Sequence, residues 1–496
     1  MARKYLFIFS HDVQIRWYKV FAEGFKELGA DHKTAIFVHG QADARIARES
    51  GCYDEIYDLL EGFEFDPTLT TEDVAVNPRI STLEAKNGSS FFWEDIRIDR
   101  WTRATRDPSF QIQYLNHATA VIAERFERLA PIAALGEYTM AIYRYAQRFF
   151  RSRGKPMFYP ITTRYFGRLY FETHLSWSWE RCTELYHEFL QKGVPDDLIR
   201  TVRPYYEKIA LKFSRPTYTS YQNQFQTGFV QIHELPIREI LRKTARALTP
   251  PDRGETLRNP RSAIVEKGFG EKLRRIVRER WSFRVYERTI AKSLPRGVAY
   301  GVYFLHYQPE YTSEGLGKFY IDQRFLIENI ASSLPAGMRL VVKEHPTMVG
   351  LRDVDFYSKI AASPNVILLD HAFDSIELIN DASIVFTIVG TPALEAMFMG
   401  KPAIMFGEYA FCDTNLISLC RDFWSLNAMI RDKLKEAAPP PEVERHAIAL
   451  LAAKYAASRP GQIPIAVELV EQFLQDNENY ALVKRSFQAE IESVAP

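Results

Sequence analysis

SIVFTIVGTPALEAMFMGKPAIMF, residues 383–406, decides the fold class. An apolar, β-branched run ends on Gly390, where the backbone can turn tightly. Thr391 is placed as an N-cap, Pro392 suits a first helical turn, Gly400 can end the helix, and a second apolar run follows. Strand, tight turn, helix and strand is a parallel βαβ unit, and parallel sheets present their ligand edge at the strands' carboxyl ends. The free amides at such a helix start attract phosphate, and Glu395, one turn in, could reach a ribose hydroxyl. The plain alternative is that Glu395 answers the helix dipole.

The same alternation extends on both sides. GVAYGVYFLHYQPE (297–310), MRLVVKEHP (338–346) and NVILLD (365–370) read as strands, and DQRFLIENIASSL (322–334) and FDSIELINDA (373–382) as helices. A separate set opens the chain: KYLFIFS and KTAIFVHG as strands around the helix FAEGFKELGA, then IAALGE and PMFYPITT as strands after a polar, turn-rich stretch at 66–100. The expected organisation is an α/β domain over 1–175, a helical, basic and aromatic-rich insertion over 176–290, a second α/β domain over 291–460, and a C-terminal helix over 461–496 returning toward the first domain. Inside the insertion, the prolines and glycines of TPPDRGETLRNPRS (249–262) forbid regular structure. Two doubly wound Rossmann-like domains facing a cleft, with a helical insertion between them, is the GT-B architecture.

Composition narrows the classes. A chain of 496 residues with 46% hydrophobic and 25% charged residues is a folded protein of more than one domain. Its net charge of +1 gives no whole-molecule attraction to nucleic acid. Four cysteines without a CxxC pair indicate a reduced compartment and no structural zinc. No run reaches the roughly 18–20 apolar residues of a membrane span. No GxGxxG follows a strand, so NAD binding is not expected. A cytoplasmic protein results, with peripheral contact at the inner face of the cytoplasmic membrane left open.

Three strand ends of the second domain are rich in polar groups. KEHP puts Lys343, Glu344 and His345 at a sheet edge, since Pro346 stops the ladder. A histidine there holds or releases a proton near neutrality, so it can donate to a phosphate or protonate a leaving oxygen. Alone, such a residue is commonly a structural hydrogen-bonding group; its place 45 residues before the glycine turn favours a site. YFLHYQPEYTSEG (303–315) adds Gln308 and Glu310. In the first domain Glu137 follows the strand IAAL, placed as base or nucleophile toward an acceptor, with helix capping as its plain role. His11, Asp12 and Glu172 are rival acceptor-side groups, and Asp99 is expected to pair with an arginine.

KEHP followed by VGTPALEAMFMGKP, with HYQPE upstream, resembles the bacterial capsule polysaccharide biosynthesis family, which includes CMP-Kdo-dependent glycosyltransferases of GT-B architecture. The resemblance covers residues 297–415 and is weak in the first domain. It implies that His345 and Pro346 contact the donor phosphate and assist the leaving nucleotide, and that Thr391 and Glu395 hold phosphate and ribose. Gly390 and Ala393 stand where relatives often carry serine and glycine, which removes one hydroxyl contact to phosphate. The implied donor is a CMP-linked Kdo-like or nonulosonic acid, with UDP- and GDP-sugars as alternatives, and the acceptor a growing surface polysaccharide or lipid-linked glycan. The donor-binding set is then Lys343, Pro346, Gln308, Gly390, Thr391 and Glu395, with His345, Glu137 and Glu310 catalytic. No metal and no cofactor beyond the nucleotide-sugar co-substrate are expected. A nucleotide-sugar epimerase of the same architecture and a non-catalytic glycan- or nucleotide-binding protein are the competing readings.

Residues 266–296 hold ten Lys or Arg against four Glu, interleaved with Trp281, Phe283 and Tyr286. Such a stretch can lie on an anionic membrane or receive a phosphate-bearing acceptor; its plain role is a helical layer with a solvated basic face.

Overall fold

The computed structural model describes residues 3–99, 108–163, 165–210, 269–294, 297–409, 416–435, 440–464 and 469–494. The loop 249–262 lies outside them, as do residues 266–268 and 295–296 of the basic stretch.

Two sheets organise the chain. The first contains β1 (Lys4–Phe9), β2 (His32–Val38), β3 (Glu55–Asp58), β4 (Ala133–Leu135), β5 (Met157–Thr162) and β6 (Arg168–Glu172). The second contains β7 (Ala299–Phe304), β8 (Met338–Lys343), β9 (Val366–Leu369), β10 (Ile384–Thr387), β11 (Ala403–Met405) and β12 (Ile417–Leu419). β13 (Arg459–Pro460) then returns to the first sheet. The orders are β13-β6-β5-β4-β1-β2-β3 and β12-β11-β10-β7-β8-β9. All neighbours are parallel except β5 with β6 and β6 with β13. In both sheets the first strand is central and the order reverses beside it, between β1 and β4 and between β7 and β10. Those two points are where doubly wound sheets open a ligand crevice.

Burial on both faces explains why these strands read as continuous apolar runs. Along β1, Tyr5, Phe7 and Phe9 enter one core while Leu6 and Ile8 enter the core on the opposite face. The helix Asn477–Val494 closes that second face: Phe487 packs on Phe21 at 5.0 Å between ring centroids, and the Tyr480 hydroxyl donates to Glu23 at 2.7 Å. Helices Glu180–Lys192 and Asp196–Ala210 lie against Pro440–Ala457, where the Tyr186 hydroxyl meets His446 Nδ1 at 2.6 Å.

Several local expectations are corrected. The stretch 66–100 is not only turns: Asn77 caps a helix over Pro78–Asn87, Gly88 ends it in the left-handed region, and Phe92–Ile98 forms another. β3, β6, β12 and β13 were not expected as strands; they hold two to five residues, too few for a periodicity to register. β8 ends at Lys343, two residues before His345, because the Glu344 carboxylate takes up the His345 N–H at 2.6 Å. Gly390, at φ 106° and ψ −166°, is the N-cap in place of Thr391, which is already helical.

The carboxyl edges of the two sheets face each other, as GT-B architecture requires. Tyr311, just beyond β7, is 7% exposed and packs against Tyr138, just beyond β4, with ring centroids 4.9 Å apart. The Tyr311 hydroxyl donates to the Leu175 carbonyl at 2.9 Å, and the Arg144 guanidinium lies over its ring at 5.6 Å. Arg97 of the first domain donates to the Lys318 carbonyl of the second at 3.3 Å.

Candidate functional site

At the crevice of the second domain a hydrogen-bonded bridge runs across three adjacent strand ends. Glu344, buried after β8, is held by Arg352, whose Nη2 donates to its Oε1 at 2.8 Å, and by the Tyr357 hydroxyl at 2.9 Å. The same Nη2 donates to the His306 carbonyl beyond β7 at 2.8 Å. The His306 ring then bonds the Val389 carbonyl beyond β10 through Nε2 at 2.9 Å. Val389 immediately precedes the Gly390 turn. With strands about 4.8 Å apart, the tips of β8 and β10 on either side of β7 stand roughly 10 Å apart, the scale of a phosphate-linked sugar.

His345 is oriented by its own turn. It caps the short helix Pro346–Met348, its Nδ1 accepting from the Thr347 N–H at 3.3 Å and lying 2.7 Å from the Thr347 hydroxyl. An Nδ1 that accepts a backbone N–H is unprotonated, so the neutral ring carries its proton on Nε2. Burial lowers the pKa of this imidazole, against the pull of the Glu344 carboxylate, and favours the neutral form. His306 is likewise lowered by burial, opposed by its bond to Val389; that Nε2–H contact leaves its Nδ1 as the acceptor, buried and without a hydrogen-bond partner among the described residues.

The other donor-side candidates divide. Gly390 and Thr391 open the helix Thr391–Phe398, where a positive φ requires glycine and leaves the turn uncluttered. Glu395, one turn on, is 6% exposed, and Pro346 is exposed. Lys343 is buried and points elsewhere than expected, donating to Ser375 Oγ at 3.0 Å. Gln308 is engaged by its own loops, donating to the Ile321 carbonyl at 2.8 Å and accepting from Gln323 at 2.7 Å. Glu310 precedes the helix Tyr311–Glu314; burial and, after it, the Glu310 charge raise the pKa of Tyr138 across the domain boundary, while at His306 the same charge only opposes the lowering by burial.

In the first domain the crevice brings together two of the four acceptor-side candidates. His11 follows β1 and Glu137 follows β4, and Nδ1 stands 3.7 Å from Oε1, both side chains largely buried. Glu137 also caps its own loop, accepting the Thr139 N–H at 2.8 Å. Asp12, in the left-handed region at φ 51°, uses its N–H on Asp43 at 3.1 Å. Glu172 has a different task from the one expected: 1% exposed, it accepts the N–H groups of Thr173, His174 and Trp179, each at 2.9 Å, and holds the loop beyond β6. Burial pushes its pKa up and the three N–H groups pull it back. Asp99 is buried, and its charge helps raise Arg144, which burial would otherwise lower. Asp95 makes the direct ion pair with Arg144 at 2.7 Å.

Sequence reasoning passed over His306 and Arg352. HYQPE displays His306 two residues past a strand, which was the available signal; Arg352 had none. Among the described residues no three His, Cys, Asp or Glu gather as a metal site, and no helix is long and apolar enough to cross a membrane.

Three of the four bridge residues, Glu344, Arg352 and Val389, lie in a segment that matches a known family. Residues 320–417 match the capsule polysaccharide biosynthesis protein family. The matched span runs from just before the helix Gln323–Ser333 to the first residue of β12 and includes His345, Arg352, Gly390, Thr391 and Glu395. Among solved structures, the chain is similar to the KpsC beta Kdo 2,7 transferase of Thermosulfurimonas dismutans, with 10% identity over 66% of this chain and 79% of that one and a TM-score of 0.32. It is similar to the beta Kdo 2,4 transferase of the same KpsC, with 13% identity over 68% and 83% and a TM-score of 0.32. The UDP-GlcNAc 2-epimerase from Methanocaldococcus jannaschii matches with 10% identity over 88% and 93% and a TM-score of 0.25. No curated protein matches the sequence.

Proposed function

We propose that the protein is a metal-independent glycosyltransferase that moves a CMP-linked acid sugar of the Kdo or nonulosonic type onto a growing surface polysaccharide or glycoconjugate. The observation that carries this reading is the bridge Glu344–Arg352–His306–Val389, which ties the strand end that carries His345 to the turn that opens the Gly390 helix. The family matched by residues 320–417 agrees with it.

In this reading the donor phosphate sits at the amides following Gly390, and His345 Nε2–H donates to the phosphate oxygen that leaves the sugar. The bond between the anomeric carbon and that oxygen breaks, and the nucleotide departs with its electron pair. The acceptor oxygen forms the new bond to the anomeric carbon. Its proton passes to the His11–Glu137 pair of the facing domain, where the carboxylate orients the imidazole. Oriented donors in a partly dewatered crevice supply the stabilisation that a divalent ion supplies elsewhere.

The test is nucleotide release from CMP-, UDP- and GDP-sugars by purified protein, with and without a glycan acceptor. Acceptor-dependent release of CMP is expected, and His345→Ala should lower it by roughly 10²–10³-fold with the fold intact. Release from none of the donors refutes an enzyme. Donor conversion without any acceptor favours the epimerase reading.

A further inference from the structure

The helix Phe269–Thr289 has two faces that the reaction does not use. Its inner stripe is Glu279, Ser282 and Tyr286, at 3%, 0% and 1% exposure. Tyr286 anchors it: the hydroxyl accepts the His371 N–H at 2.8 Å, and the ring lies 4.9 Å from Tyr357, the residue that donates to Glu344. The outer stripe falls at i, i+4, i+7 and i+11: Val277, Trp281, Arg284 and Arg288, flanked by Arg274 and Arg278. Val277 is 58% and Trp281 55% exposed, an apolar pair facing outward on an otherwise well-anchored helix. Together with Val354, these two and Arg274 and Arg278 line an apolar depression of about 420 Å³.

Charge identifies the partner. The outer face sets four exposed guanidiniums against Glu287. The adjoining loop adds Asp353 and Asp355, the latter paired with Lys359, so the face stays net positive. Arginines around an outward tryptophan and valine match a surface that is anionic at headgroup level and apolar just beneath it. A soluble acidic protein would supply the charge but would not by itself require the apolar pair.

We propose that the outer face of helix Phe269–Thr289 docks on an anionic phospholipid bilayer. The Trp281 and Val277 side chains enter the interface, and Arg274, Arg278, Arg284 and Arg288 meet lipid phosphates. The inner stripe keeps the helix fixed to the second domain, so docking holds the crevice at a set height above the lipid.

Vesicle co-sedimentation of the full chain tests this without any sugar donor. Phosphatidylglycerol vesicles should bind and phosphatidylcholine vesicles should not, and binding should fall with salt. Each removed cation should weaken partitioning about fivefold, so Arg278→Gln with Arg284→Gln should weaken it about twenty-fivefold. Trp281→Ser should weaken it about tenfold or more. All these side chains face solvent, so thermal melting should not move, and lysine replacements of the same arginines should retain binding. Equal binding to both vesicle types, unchanged binding by the variants, or a vesicle-independent dimer that the variants abolish would each overturn the proposal.

Discussion

Replacing Arg352 with methionine isolates the most consequential contact in the second domain. The Glu344 side chain is 0% exposed and that of Arg352 5%, so the pair is out of water. Methionine fills comparable space while removing Nε and Nη2, which leaves the carboxylate, among the described residues, with the Tyr357 hydroxyl and the His345 N–H. It also strips the His306 carbonyl of one donor, leaving Gln323. Removing one partner of a buried ion pair costs about 3–5 kcal/mol. For a domain of this size that corresponds to a fall of about 6–20 °C in the thermal transition. Calorimetry on Arg352→Met, on Glu344→Gln and on the double variant reads it, and the double variant should recover much of the loss because no uncompensated charge stays buried. Nucleotide release by Arg352→Met should fall even well below its melting temperature, since the tips of β8 and β7 are no longer tied. A shift under about 2 °C, or a double variant no better than the single one, would refute the account of how this crevice is held.

Three further outcomes follow from the same geometry. His345 and His306 are both lowered from 6.5 by burial, so the folded state takes up fewer protons than the unfolded one. Their contribution to stability is therefore full above pH 6.5 and is lost as pH falls through the depressed folded values, and turnover should decline over the same range as protonation displaces Thr347 from Nδ1; titrating both in one buffer series checks this, and a flat profile down to pH 5 would count against the assigned tautomer. Gly390→Ala meets no atom closer than Pro392 Cδ at 3.8 Å, so its cost, about 1–3 kcal/mol, comes from φ 106° alone, and donor affinity measured by calorimetry should fall with the turn. Glu137→Gln keeps an oxygen for the Thr139 N–H but loses the charge facing His11; turnover should drop about 10²-fold or more with donor affinity preserved, and an unchanged rate would remove the pair from the reaction.

The sequence made the central strands legible because parallel strands buried on both faces cannot alternate with polar residues, and KYLFIF, RLVVK and IVFT do not. Gly390 and His345 were legible for a related reason: a turn glycine and a proline stop are backbone requirements that one residue type meets. His11 and Glu137 were found separately, and only the β1–β4 pairing, set by a segment more than a hundred residues long, makes them neighbours. The partner of Glu344 could not be read, because Arg352 reaches it through the turn after Pro346, which has no periodicity to announce it. Glu172 looked like an acceptor-side carboxylate by its place after a strand; that β6 runs antiparallel, with its end turned to loop amides, is a pairing property invisible in RLYFE.

Tyr311 gives the molecule a thermodynamic preference for staying shut. Its ring belongs to the second domain but is withdrawn from water, resting against Tyr138 and Arg144 of the first and Trp177 just beyond it. Drawing the halves apart would return that ring to water at about 2 kcal/mol, before the hydroxyl's bond to Leu175 is counted. A gaping form would thus hold at most a few per cent of molecules at rest, and any large substrate that needs it would first have to free this ring and its bond to Leu175.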